Sequence, residues 1–329
     1  MNIIAIITPL ILVALLGFIC TKSRWLSREQ LNTLSKFTFS ISIPAFLFYQ
    51  MAKADLSSQV SPQLFVAFYL PVLTCYLLAW LINYYIYGYE VNKKTEQSSH
   101  RNSAASAVFA LSASYSNTII VGLPVLLATI GEQVIGIVFL IVTFHSALLF
   151  ALTAILAAKG TKQTKEKNKY LYWLIFIKHT LNNPFIISIL SGLLVNVLGL
   201  SLPTFLQESL ALIGKPAITL ALFILGGSLA FYHVRQALTF ISIACVSKLI
   251  LLPSLVFLTT HYVFNFQPLI ITVLVVLSAC PTGVNAYPIA ATHQQHQHQH
   301  QHQQTVAGTI VVSTLLSTIT IPLWLSFIL

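Results

Sequence analysis

Two interrupted segments hold most of the chemistry in an otherwise apolar chain. One reads S-N-T-I-I-V-G-L-P from Ser116 to Pro124, and the other C-P-T-G-V-N-A-Y-P from Cys280 to Pro288. Asn117 and Asn285 each bring an amide that donates and accepts, and Thr118 adds a hydroxyl. Proline lacks the backbone donor and its ring clashes with the carbonyl one turn earlier, while glycine weakens a helix. Gly122 with Pro124, and Pro281 with Gly283 and Pro288, are therefore expected to unwind their helices. The helix N-termini that follow such breaks present free N–H groups and partial positive charge, which suits an anion such as a carboxylate.

Three further features bear on charge and protons. Lys248, flanked by I-S-I-A-C-V-S and L-I-L-L-P, is the one basic residue well inside an apolar run. It would face a cavity and neutralise an anion, or else snorkel or bond unwound carbonyls. His145 in V-T-F-H-S-A reads first as a hydrogen-bonded packing residue, with proton coupling as the sharper alternative. The run H-Q-Q-H-Q-H-Q-H-Q-H-Q-Q from His293 to Gln304 reads as a low-complexity loop. Its histidines, with His296, His298 and His300 as weak candidates, would otherwise bind a transition metal or sense pH, but alternating His lacks the mixed ligands and defined spacing of a structural metal site.

The elements that must position these residues follow from where charge is missing. No Asp, Glu, Lys or Arg occurs from Leu56 to Tyr89, from Asn102 to Gly131, from Gln133 to Ala158 or from Leu249 to Leu329. A membrane-spanning helix needs about 20 apolar residues, so each run is long enough for one and the last is long enough for three. With 57% hydrophobic and 7% charged residues, a soluble enzyme, a nucleic-acid binder and a secreted disulfide scaffold are disfavoured. Cys20, Cys75, Cys245 and Cys280 lie in or beside apolar runs without CxxC spacing and read as reduced, buried thiols. Met1 to Cys20 reads as a retained helix rather than a signal peptide.

Ten spans are predicted, near 3–20, 34–51, 63–87, 104–129, 133–158, 182–199, 208–230, 237–262, 266–291 and 305–328. The odd-numbered connections carry Lys22, Arg24, Arg28, Lys93, Lys94, Arg101, the lysines from Lys159 to Lys169, and Arg235. The even ones carry only Lys53 and Lys215. The positive-inside rule makes the odd loops cytoplasmic and puts both termini outside. The net charge of +10 thus reports topology rather than a nucleic-acid partner.

The basic linker over 159–181 divides the chain into five-span halves, 1–158 and 182–329. An odd number of spans per half forces the halves to sit inverted in the membrane. The proline punctuation supports a repeat: Pro44 pairs with Pro216, and Pro71, expected to interrupt the third span, pairs with Pro253 in the eighth. Corresponding broken helices, here the fourth and ninth, are the best sequence pointer to a transport site.

At these residues the chain resembles the auxin efflux carrier family, whose bacterial members include malonate and organic-acid permeases. The resemblance runs through residues 17–48 (G-F-I-C-T-K-S-R through I-P-A-F-L-F), N-T-I-I-V-G-L-P at 117–124, N-N-P-F-I-I-S-I-L-S-G-L at 182–193, L-A-L-F-I-L-G-G-S-L at 220–229, K-L-I-L-L-P at 248–253 and P-T-G-V-N-A-Y at 281–287. The order and spacing of these segments carry it rather than any one motif. It implies an all-α polytopic membrane protein of ten transmembrane helices, built as two inverted five-helix repeats with crossing, unwound helices 4 and 9. It further implies an elevator mechanism, with spans 1, 2, 6 and 7 as scaffold and spans 3–5 and 8–10 carrying the site, and a homodimer. Asn117, Gly122 and Pro124 match the family's fourth-helix crossover, and Pro281 with Asn285 its bacterial ninth. The His/Gln run departs from the short polar segment usual after the ninth helix.

The expected function is secondary transport of a small organic anion such as malonate across the cytoplasmic membrane, with no cofactor and no nucleic-acid partner. The expected substrate site comprises Asn117, Thr118, Gly122, Pro124, Lys248, Pro281, Gly283 and Asn285. A membrane-embedded enzyme is the weaker rival: HExxH, GxSxG and Walker A patterns are absent, and no span interior holds an acidic residue. That same lack of acids argues against a carboxylate-based sodium or proton antiporter. A sensor that keeps the carrier fold and a metal-cation carrier using the His-rich loop are the remaining alternatives.

Overall fold

The computed structural model describes residues 3–53, 61–87, 103–158, 184–231, 238–292 and 300–329. Among them there is no β-strand, only helix and one isolated bridge. Helices occupy parts of all ten predicted ranges. In order they are α1 (Ile3–Lys22), α2 (Arg28–Phe37), α3 (Ile43–Lys53), α4 (Pro62–Ile82), α5 (Ser103–Ser114), α6 (Leu123–Thr129), α7 (Ile135–Ala158), α8 (Pro184–Val197), α9 (Thr204–Gly214), α10 (Ala217–Leu229), α11 (Leu238–Val246), α12 (Leu252–Leu258), α13 (Pro268–Ala279), α14 (Ala286–Thr292) and α15 (His300–Ile328). Five helical stretches are long and apolar enough to cross a membrane: Pro62–Tyr85, Glu132–Ala157, Thr204–Leu229, Leu238–Val263 and Thr305–Ile328. Five shorter apolar helices accompany them. Large apolar side chains point outward, with Leu212 73%, Leu323 62% and Leu12 55% exposed, as lipid-facing surfaces require. The basic linker and most of the His/Gln run, including His296 and His298, lie outside the described residues.

Proline shapes these helices in two ways. Pro44, Pro124 and Pro253 each stand two residues after a π-helical turn, which covers Thr38–Ser42, Thr118–Gly122 and Ser247–Leu251 respectively. In the first and third, the residue before the proline donates five residues back, Ile43 to the Thr38 carbonyl and Leu252 to the Ser247 carbonyl. The wider turn accommodates the missing donor and the ring, so the chain stays helical instead of breaking. Pro71 sits inside an uninterrupted α4, against the expectation that it would interrupt the third span. Pro216, by contrast, separates α9 from α10.

The contacts divide the chain into two compact units. Unit 1 comprises Met1–Val60, Ile119–Thr143 and Leu174–Tyr232. Within it α1 packs along α10, and α3 packs on α8 and α9. The α1–α10 pair is backbone against backbone: a Cβ on Gly17 would lie 2.0 Å from the Phe223 carbonyl oxygen, and one on Gly226 1.7 Å from that of Ala14. Without a hydrophobic gain between helices in lipid, small residues that allow such approach supply the van der Waals contact. A capping box starts α2, with the Gln30 amide donating to Ser27 Oγ at 3.2 Å and the Ser27 amide donating to Gln30 Oε1 at 2.9 Å.

Unit 2 comprises Ser61–Thr118, Phe144–Trp173 and His233–Leu329. Here α5 packs on α4 and α15, and α13 on α12 and α15. Polar side chains bond to groups of neighbouring helices. The buried Tyr76 hydroxyl lies 3.1 Å from the Ala107 carbonyl and 2.8 Å from Thr153 Oγ1, and the half-buried Thr259 Oγ1 and Trp324 Nε1 donate to the Ala67 carbonyl at 2.8 Å and to that of Leu249 at 3.0 Å. Each ties two helices together.

A buried crossing of two broken helices

The candidate site lies in unit 2, where two helices end and their chains cross. Helix α5 stops at Ser114 and α13 at Ala279. Tyr115–Asn117 and Pro281–Gly283 then run antiparallel, with Ser116 opposite Thr282. The Asn117 amide donates to the Pro281 carbonyl at 2.8 Å, and the Gly283 amide to the Tyr115 carbonyl at 3.0 Å. This short ladder satisfies backbone groups that unwinding would otherwise strand. Only glycine fits at 283, because a Cβ there would stand 2.3 Å from Cε1 of the Tyr115 ring. Ser116, Asn117, Thr118, Pro281, Thr282 and Gly283 are all buried.

The amides of the two central residues find partners on surrounding helices. The Ser116 amide donates to His145 Nε2 on α7 at 3.0 Å, and the Thr282 amide to Ser313 Oγ on α15 at 3.0 Å. Two orphan carbonyls at the helix ends are also met: Thr282 Oγ1 donates to the Ser112 carbonyl at 2.7 Å, and Lys248 Nζ donates to the Ser278 carbonyl. Lys248 is fully buried and so does not snorkel; it caps the C-terminal end of α13, where a cation also complements the helix dipole.

Three atoms of this cluster have no partner within the protein. Among the described residues seven buried side-chain polar atoms are unpaired, and Ser116 Oγ, Asn117 Nδ2 and His145 Nδ1 are three of them. They belong to two consecutive residues and to the side chain that holds the amide of the first. An unsatisfied buried donor costs about 1–3 kcal/mol, so three such atoms at one break set it apart from its partner strand. Asn285 differs from Asn117: it is exposed, in the turn before α14, and interacts with the Tyr115 hydroxyl, which also lies 2.9 Å from Ser146 Oγ.

Of the residues selected from sequence, Asn117, Pro281 and Gly283 lie in the crossing itself, and Thr118 opens the π turn directly after it. Asn285 follows two residues later, and Lys248 reaches the end of α13. The unwinding expected at Gly122 and Pro124 occurs instead at Tyr115–Asn117. Gly122 closes a π turn that runs directly into α6, and this wider turn accommodates Pro124 and its missing N–H without a break. Pro288 likewise lies within α14 rather than at a break. His300 begins α15, and no group of three metal-ligating side chains occurs among the described residues. Ser116, Thr282 and Ser313 were not selected from sequence, and His145, read there as a packing residue or proton relay, was not placed in the substrate site. The polar density of S-A-S-Y-S-N-T within a charge-free run was the available signal for Ser116.

A family model described as "Membrane transport protein" matches residues 2–325. A curated protein of Rhizobium meliloti (strain 1021) named "Putative malonate transporter" is 27% identical over 223 residues, covering 67% of this chain and 67% of that protein.

Proposed function

Because the chain belongs to the membrane transport protein family, the auxin efflux carriers that its sequence resembles, we propose that it carries a small organic anion, malonate or a related carboxylate, at the crossing of its broken helices. It is a multi-pass membrane transporter rather than an enzyme. The observation that carries the substrate reading is the buried, unpaired amide donor of Asn117 beside two antiparallel breaks. A carboxylate supplies acceptor oxygens to such a donor and makes charge-assisted bonds roughly twice as strong as neutral ones. The name of the Rhizobium relative supports the same class.

In this reading Asn117, Thr118, Pro281, Gly283 and Asn285 line the substrate path, while Gly122 and Pro124 shape the helix that continues from the fourth-span break. Lys248 sets a positive charge at the ninth-span break. The ten helices form two inverted five-helix repeats, and transport proceeds by an elevator. The grouping of contacts supports the scaffold half of that reading, with the first, second, sixth and seventh spans in unit 1 and the third, eighth, ninth and tenth in unit 2. The fourth and fifth are divided between the units rather than grouped with the third. A homodimer through the first group, and a cytoplasmic-membrane location with both termini outside, complete the proposal.

A thermal-shift panel tests the substrate class. Purified protein in detergent should be stabilised by malonate, malate or lactate, by about 2.7 kcal/mol at 100 times Kd. Stabilisation by zinc with no effect of any carboxylate would replace this reading with a metal-cation carrier.

A further inference from the structure

We propose that His145 is a substrate-binding residue whose Nδ1–H donates to the carboxylate. The inference rests on the carboxylate reading above and adds a ligand that neither the family match nor the resemblance assigns.

The geometry fixes the protonation pattern of the ring. A backbone N–H can only donate, so the Ser116 amide at 3.0 Å makes Nε2 an acceptor, and the single ring proton of a neutral imidazole then resides on Nδ1. That Nδ1 has no partner, although His145 is only 1% exposed. The ring is held in place by Tyr115, stacked at 5.2 Å between centroids, by Phe68 at 5.7 Å and by Tyr69 at 6.2 Å. Packing alone would be served by an apolar side chain of similar shape, and the Ser116 amide alone by any acceptor. A ring held on three sides, with its tautomer set by the break and its proton unused, is organised to donate.

All three unpaired atoms point to one chemistry. Asn117 Nδ2 only donates, His145 Nδ1 carries a proton for the reason given, and Ser116 Oγ has a hydroxyl proton to give. Ser116 is 1% and Asn117 5% exposed, so bulk water does not satisfy them. Each of these donors would take an acceptor oxygen, and His145 Nδ1–H, projecting from the ring on the side away from the Ser116 amide, is the one whose orientation the break itself sets.

Two substitutions separate donation from support. The amide of His145→Gln falls near ring Nε2 and keeps an acceptor for the Ser116 amide while removing the donor at Nδ1. The amide of His145→Asn falls near Nδ1 and keeps that donor while releasing the Ser116 amide. Malonate, malate and lactate binding are titrated calorimetrically on the full chain in nanodiscs, alongside melting temperatures. His145→Gln should melt close to wild type yet bind the preferred carboxylate about tenfold or more weakly. His145→Asn should melt lower yet bind within about threefold of wild type. A folded His145→Gln that binds like wild type overturns the proposal and leaves His145 as a peg for the Ser116 amide.

Nitrogen-15 histidine spectra of the wild type serve if neither variant folds. The bound carboxylate should shift the Nδ1–H resonance of one neutral, Nδ1-protonated histidine, and spectra unchanged by a carboxylate that demonstrably binds overturn the assignment. Failure of wild type to bind any of the three acids overturns the carboxylate reading itself, and this inference with it.

Discussion

The two breaks that cross in unit 2 solve the same backbone problem with different side chains. On the ninth-span side, the Thr282 amide is held by Ser313, the Thr282 hydroxyl is used on the Ser112 carbonyl, and Lys248 takes the Ser278 carbonyl. On the fourth-span side, the Ser116 amide is held by His145, but the Ser116 hydroxyl, the Asn117 amide nitrogen and the far nitrogen of His145 are all unpaired. Both strands therefore have their crossing amides paired, at 116 and 117 and at 282 and 283. Among the described residues only the fourth-span side has buried side-chain polar atoms with no partner at all. In the proposed reading stability and recognition are divided between them: the ninth-span break would build the crossing, and the fourth-span break would face the substrate.

The largest effect that would break this contrast is steric. Gly283→Ala should push the Tyr115 ring away from a Cβ that would otherwise lie at 2.3 Å, separating the two strands. A loss of about 3 kcal/mol or more in denaturant unfolding, together with loss of transport, is expected. A variant of normal stability would show that the crossing is not close-packed.

Asn117→Ala should have the opposite profile. Its Nδ2 bonds to nothing in the protein, so removing it should change stability by under about 1 kcal/mol while weakening carboxylate binding about 10- to 100-fold. Thr282→Val reverses that pattern: it strands the Ser112 carbonyl and should cost about 1–2 kcal/mol of stability with affinity nearly unchanged. If Thr282→Val instead weakened binding more than Asn117→Ala, the proposed division between the two breaks would be inverted. The smallest effect belongs to Asn285→Ala. Its amide is exposed, so a neutral hydrogen bond of about 1 kcal/mol would be lost, a change of about fivefold in Kd.

Much of this architecture was legible from residue types, because the absence of charge over long runs fixes helices by length alone. Pro281 and Gly283 marked the ninth-span break correctly, since both residues oppose helix directly. The fourth-span break was misplaced by several residues because nothing at Tyr115–Asn117 opposes helix so strongly. There the chain unwinds where it can pair with the ninth-span strand, a contact 166 positions away at the Ser116–Thr282 bridge (282 − 116) that no local signal reports. Pro124, the visible marker, was absorbed by a π turn and a helix start. The bond from the Ser116 amide made His145 a member of the site, and the Ser278 carbonyl gave Lys248 its partner; both bonds join helices distant in sequence.

The most direct test of the central claim is uptake of radiolabelled malonate, malate and lactate into proteoliposomes holding wild type or Asn117→Ala, at controlled pH and membrane potential. The account predicts saturable uptake of at least one acid by the wild type and its loss in an Asn117→Ala protein that remains folded. Equal uptake by the two, or no uptake by a folded wild type under any imposed gradient, would contradict it.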